Sequence, residues 1–302
     1  MWIVITVSAA CFQTLRNAVS RSLVAHVSPL LNSWSRFAFT LPFCGCLILA
    51  LSLLHGAPML SQRFLIFCAL TAVTHMTGNL ALVSAFARTN FAKSIVLHKL
   101  EVVFAALLGV FVFAEVPSAM GWLGIAICAI GVLLVNPGRQ GDRGGWARLR
   151  RLDTGSTLSL LSGTCLAAAS FFLKEAAGTL YELNEPLRGG YFEAAAYSLF
   201  HTTWIEVALL SAFVFASRPQ EVRRVRYHWR RMALVGFVGF CGSQAWFWAY
   251  SLALVAYVKA VGQFELIGSV AISIFIFRER NVLQQLPGIA VITVGILLVV
   301  MG

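Results

Sequence analysis

Apolar residues run along this chain in blocks of about 20, the length a helix needs to cross the hydrocarbon core of a bilayer. Ten such blocks fit, at 2–24, 29–54, 63–86, 90–114, 118–136, 156–180, 190–215, 232–251, 254–278 and 282–301. Bilayer-crossing strands would be about ten residues of alternating polarity, and no stretch reads that way. The pattern predicts an all-α integral membrane protein of ten transmembrane helices. Most connections are short; the long ones are Pro137–Gly155 and Ser217–Arg231.

The pattern also repeats. Residues 85–135 return 164 positions later without a gap, with Ala85, Ala92, Glu101, Phe111, Glu115, Gly124, Gly131 and Val135 matching Ala249, Ala256, Glu265, Phe275, Glu279, Gly288, Gly295 and Val299. Leu15-Arg16-Asn17-Ala18 likewise resembles Leu173-Lys174-Glu175-Ala176. Two five-helix repeats are therefore expected, 1–136 and 156–302, joined by a basic loop at 137–155. Five is odd, so the two repeats have opposite topology.

Charged positions inside the blocks are the candidate functional residues, because intramembrane charge faces a protein interior or a cavity. In the first block Gln13, Arg16 and Asn17 lie on one helical face with Ser20. In the fourth, Glu101 is central, His98 lies about 60° from it and Lys93 about 80° to the other side, on the premise of one continuous helix. Lys99 lies about 160° away and needs another partner. In the ninth block Glu265 is central, with Tyr257 at the place of Lys93, and Lys259 and Gln263 on the opposite side. An unpaired charge at the bilayer centre costs at least about 2.5–3.5 kcal/mol, so these groups pair, neutralise or meet water. Arg16, Lys174, Lys93, Lys259 and His98 are the natural partners of the two glutamates, and Glu175 adds a carboxylate beside Lys174. Glu115 and Glu279 close their blocks, where a carboxylate opposes the helix dipole; each is expected to serve the N-terminus of the next helix. The glycines repeated seven apart are expected to allow close helix contact.

Composition agrees with the pattern. Hydrophobic residues make up 59% of the 302 and charged residues 12%, against about 45–50% and about 25% in soluble domains. The mean hydropathy is +0.81. The net charge of +11 does not point to nucleic acid, because basic residues gather in two short loops. Arg139, Arg143, Arg148, Arg150 and Arg151 occupy one; Arg218, Arg223, Arg224, Arg226, Arg230 and Arg231 occupy the other. The positive-inside rule puts both in the cytoplasm and both termini outside. The seven scattered cysteines read as small buried hydrophobes, and no basic segment precedes the first block as in a cleaved signal peptide.

The repeated stretch, its closing glutamate and spaced glycines, and Gln13-Thr14-Leu15-Arg16-Asn17-Ala18 with Arg21-Ser22-Leu23 resemble the drug/metabolite transporter superfamily, EamA type, in a bacterial subgroup of permeases without an assigned substrate. The resemblance implies ten helices around a central cavity, alternating access, a small organic substrate that is often exported, and a place in the bacterial inner membrane. Family members are usually described with both termini cytoplasmic, opposite to the arginine count. In this reading Gln13, Arg16, Asn17, Lys93, His98, Glu101, Lys174, Glu175, Tyr257, Lys259 and Glu265 form the substrate and coupling cavity. Protons are the candidate coupling ion; facilitated diffusion fits the same residues. No cofactor or metal is expected, and the chain lacks a Walker A loop, a Gly-x-Ser-x-Gly elbow and a His-Glu-x-x-His pair, so neither ATP drive nor enzyme chemistry is expected. The alternative is a lipid-headgroup translocase or a non-transporting partner subunit. The sequence leaves monomer and homodimer equally open.

Overall fold

The computed structural model describes residues 1–24, 27–86, 88, 94, 97–134, 153–184, 189–217, 219–268 and 286–302. Their regular structure is helical, with no strand among the described residues. The helices are α1 (Trp2–Val24), α2 (Pro29–His55), α3 (Gln62–Phe86), α4 (Glu101–Val112), α5 (Ala119–Leu134), α6 (Thr154–Leu183), α7 (Gly190–Ser217), α8 (Arg223–Leu252), α9 (Val255–Gly262) and α10 (Leu286–Met301). A single 3-10 turn, Pro219–Val222, precedes α8. Among the described residues, five segments are long and apolar enough to cross a membrane: Leu30–His55, Gln62–Leu82, Thr154–Leu183, Gly190–Ser217 and Pro219–Leu252.

Local sequence sets the helix ends. Ser28 accepts the Leu31 N–H at 3.2 Å and Pro29 follows, so α2 starts there. It stops at Gly56, whose φ of 90° suits a residue without Cβ. Asp153 caps α6 through the Ser156 N–H at 2.7 Å. Ser118 caps α5 through the Gly121 N–H at 2.9 Å.

The chain folds as two compact units, Met1–Val73 with Phe172–Leu252, and Thr74–Phe171 with Ala253–Gly302. In the first, α1 and α2 pack on α8, and α2 packs on α7. Its cores are Val27, Leu31, Val214, Met232 and Val235 at one end, and Phe64, Cys68, Ala176, Leu180 and Tyr197 at the other. In the second, α5 packs on α10 and α4 on α9, around Val132, Ile289 and Ile292. Many large apolar side chains face outward, among them Leu49, Leu53, Phe111, Leu123, Phe213 and Leu297, a surface that suits lipid. Of the two basic loops, 135–152 lies outside the described residues. Arg223, Arg224, Arg226, Arg230 and Arg231 are exposed on the first turns of α8.

Candidate functional site

The repeated glutamates lie together in the second unit. Sequence periodicity treats 90–114 and 254–278 as continuous helices, and both are interrupted just before the glutamate. Residues 97–99 are helical, Leu100 turns with ψ near 0°, and α4 begins at Glu101. In the second copy α9 ends at Gly262, Gln263 turns, and 264–268 are helical again. A break lets neighbouring charges find separate partners, and it places Glu101 in the first turn of α4, where the helix dipole favours a negative charge.

The result is a pair of crossed ion pairs. Lys99 Nζ is 2.8 Å from Glu265 Oε2, and Lys259 Nζ is 3.1 Å from Glu101 Oε2. All four side chains are buried. Each pair joins one copy of the repeat to the other within this unit, and the cluster of two lysines and two glutamates is neutral as a whole. Of the partners named from sequence, Lys259 takes Glu101; Lys99, which the projection places away from Glu101 and in need of another partner, takes Glu265. His98 is buried and shares a hydrogen bond of 3.1 Å with Ser162 on α6. Gly163 beside it has no room for a side chain, since a Cβ there would lie 2.8 Å from the His98 carbonyl oxygen. Gln263 is buried at the α9 break, and its Oε1 has no hydrogen-bond partner among the described residues.

Tyr257 stands apart from this cluster. Its hydroxyl accepts the Ser118 N–H at 2.9 Å and donates to Ser118 Oγ at 3.1 Å, and its ring lies where a Cβ of Gly121 would be. Glu115 also serves a helix N-terminus, but of α9 rather than the following α5: its Oε2 accepts the Val255 N–H at 2.8 Å. Lys93 and Glu279 fall outside the described residues.

The remaining candidates belong to the first unit. The Trp246 indole N–H donates to Gln13 Oε1 at 2.9 Å. Arg16 is buried, donates to Asn17 Oδ1 at 3.2 Å, and lays its Cδ near Gly239 of α8. Lys174 is half-buried on α6. Glu175 next to it meets Arg63 at 3.7 Å. Among the described residues no three His, Cys, Asp or Glu side chains gather as metal ligands.

Sequence reasoning missed one set of buried polar residues altogether, on α7: Glu193, Tyr197, Ser198, Thr202, Thr203 and Glu206. The signal was present in Glu193, Tyr197 and His201, four residues apart on one helical face. Glu193 is 1% exposed and lies 2.9 Å from His55 Nδ1.

The comparisons with known proteins agree with this architecture. No curated protein matches the chain. A crystal structure at 14% identity is similar in fold, with a TM-score of 0.67 over 98% of this chain and 95% of its own. The model of the EamA-like transporter family matches residues 1–136, which hold α1 to α5 and the Lys99 and Glu101 half of the ion-pair cluster. Over residues 1–136 the chain is therefore similar to the EamA-like transporter family.

Proposed function

We propose that the chain is a secondary transporter of the bacterial inner membrane that exports a small organic metabolite by alternating access. In this reading it has ten spans, arranged as inverted repeats at 1–136 and 156–302 around the basic loop 137–155. The observation that carries the reading is the crossed pairing of Glu101 with Lys259 and of Glu265 with Lys99. Four buried charges at two interrupted helices are what a transport pathway retains and a packing core discards. Because the cluster is neutral, its pairs can part and re-form without leaving net charge in the membrane. Gln263 Oε1 supports the same reading: a buried acceptor without a donor among the described residues costs about 1–3 kcal/mol, which a solute N–H or O–H recovers on binding. Arg16, Gln13 and Asn17 on α1 and Lys174 on α6 are assigned to the solute, with the two cations attracting an anionic group. His98, Lys93, Tyr257 and Glu175 complete the set of residues assigned to solute and coupling.

The test compares metabolites inside and outside cells with and without the protein, with Glu101→Gln as control. A compound that moves with the wild type and not with the variant gives substrate class and direction together. Unchanged solute pools with full membrane expression point instead to a lipid headgroup as substrate or to a non-transporting partner subunit. Orientation is tested separately. With the arginine-rich loops in the cytoplasm, a tag placed at Gly302 is labelled on intact cells; labelling only after permeabilisation reverses the topology and the direction of transport.

A further inference from the structure

The first unit carries a charged surface that the transport reading leaves unused, at the start of α8. This helix has 30 residues and so is about 45 Å long, against about 30 Å for the hydrocarbon core of a bilayer. Residues 232–252 span that core on their own, which leaves the turns from Arg223 to Arg231 at the level of the lipid headgroups. Those turns hold Arg223, Arg224, Arg226, Arg230 and Arg231, all exposed, and α8 contains no acidic residue. The positive-inside rule accounts for the number of arginines and the side they occupy, and basic residues anywhere in the loop satisfy it. It does not account for their place on the helix. Cations in a first turn oppose the helix dipole, and like charges three or four residues apart repel, so the arrangement costs α8 stability.

Their place is ordered by face. At about 100° per residue along this unbroken helix, Arg223, Arg226, Tyr227 and Arg230 fall within an arc of about 100°. The opposite side of α8 carries Val225 and Met232, which pack in the core with Leu31 and Val214. The arginine face is therefore turned away from the protein, and Tyr227 on it is 82% exposed. The same face runs on into the exposed Leu234 and Phe237, about 6 Å and about 10 Å along the axis from Arg230. Trp229 stands at its edge, with the Arg230 guanidinium carbon 5.7 Å from the ring centroid. Tyr227, His228, Trp229, Arg230 and Arg231 line a shallow cleft of about 480 Å³. Cations, then tyrosine and tryptophan, then open apolar surface follow one another down the helix, in the order of phosphate, glycerol and acyl chain along a phospholipid.

We infer that this face of α8 binds an anionic phospholipid of the cytoplasmic leaflet, one whose phosphodiester charge is not balanced by a headgroup cation. Arg223, Arg226 and Arg230 hold the phosphodiester oxygens, because a planar guanidinium offers two parallel N–H donors to a phosphate. Tyr227 and Trp229 lie against the glycerol region, and Leu234 and Phe237 carry the acyl chains. A soluble phosphate fits the arginines and leaves the apolar part of the face unused. A zwitterionic lipid fits the apolar part and brings its own ammonium against five arginines. Because α8 packs on α1, α2 and α7, the bound lipid steadies the helix on which the first unit is assembled. The inference does not depend on the transport of any solute.

Native mass spectrometry of the purified full-length chain counts bound lipid during titration with dioleoylphosphatidylglycerol or with dioleoylphosphatidylcholine. The wild type is expected to bind its first phosphatidylglycerol at least about tenfold more tightly than phosphatidylcholine. Arg223→Gln, Arg226→Gln and Arg230→Gln together are expected to abolish that preference. Arg223→Lys, Arg226→Lys and Arg230→Lys together keep the charge, and with it the insertion topology, since the positive-inside rule counts lysine and arginine alike. This variant is expected to lose the preference severalfold, because an ammonium is a point charge without the guanidinium fork. Phosphatidylglycerol is also expected to raise the melting temperature of the wild type and not that of the Arg→Gln triple variant. An Arg→Gln triple variant that keeps the preference overturns the site. An Arg→Lys triple variant that binds as the wild type does reduces the surface to its net charge and overturns the arginine site. Displacement of the lipid by an equal concentration of inorganic phosphate, or of glycerophosphoglycerol, overturns the membrane source and leaves a site for soluble phosphates.

Discussion

Glu101→Gln is expected to reach the membrane as the wild type does and to export nothing above background. The substitution keeps the shape of the side chain and removes one of four charges. Lys259 Nζ, 3.1 Å from the glutamate and buried with it, then has no counter-ion in that position. Breaking a buried pair from one side costs about 3–5 kcal/mol, because the remaining charge is uncompensated, whereas removing both charges costs far less. Glu101→Gln combined with Lys259→Gln is therefore expected to be more stable than either single variant, with a coupling energy of about 2 kcal/mol in thermal or denaturant unfolding of the purified protein. The same holds for Glu265 with Lys99. Transport separates the structural from the functional part. If the pairs only hold the fold, the double variant regains export along with stability; if they open and close during transport, it regains stability alone. Normal export by both Glu101→Gln and Glu265→Gln removes the carboxylates from the mechanism.

The hydrophobic blocks place several helices closely. α1 occupies 2–24, α2 ends one residue beyond its block and α3 begins one residue before its own, because apolar length and local caps such as Ser28-Pro29 and Gly56 act together. The interruptions before Glu101 and Glu265 are less legible. Leu100 is neither glycine nor proline, and nothing local marks it as a break. The glutamates after the breaks pair with lysines far away in sequence, Lys259 with Glu101 and Lys99 with Glu265, which periodicity, a local signal, does not read. Glu115 shows the same limit. Its unfavourable place at a helix end signals that it serves an N-terminus, but not that the N-terminus belongs to Val255, 140 residues on.

The candidate residues divide similarly. Charges inside apolar blocks stand out against a non-polar background, which is how Arg16, Glu101, Lys259 and Glu265 are found. Glu193 and His55 lie at the ends of their helices, where a charge looks like an ordinary boundary residue. The burial of Glu193 against His55 follows only from the antiparallel register of α2 on α7, set by side chains spread from Ser28 to Glu221.

Gly124→Ala is expected to destabilise the second unit strongly, and Gly124→Leu to leave no folded protein in detergent. A Cβ at Gly124 would lie 2.7 Å from the Gly295 carbonyl oxygen and 2.8 Å from the Val299 N. At Gly295 it would meet the Cys128 N at 2.7 Å and the Gly124 carbonyl oxygen at 2.8 Å, and at Gly131 the Ile292 N at 2.7 Å. These obstacles are backbone atoms, which cannot rotate aside, so even one methyl group forces α5 and α10 apart. Overpacking costs about 1–3 kcal/mol and more where backbone must move. Separating these helices also opens the core of Val132, Ile289 and Ile292. Helix propensity pulls the other way, since alanine is better than glycine by about 1 kcal/mol in a helix interior. Gly178→Ala on α6 isolates that term, because a Cβ there meets nothing within 4 Å. In size-exclusion thermal assays Gly178→Ala should therefore match or exceed the wild type, while Gly124→Ala and Gly295→Ala fall well below it. A Gly124→Ala protein as stable as Gly178→Ala would mean that α5 and α10 do not meet backbone to backbone. The second unit, and the Glu101–Lys259 and Lys99–Glu265 ion pairs within it, would then need a different account.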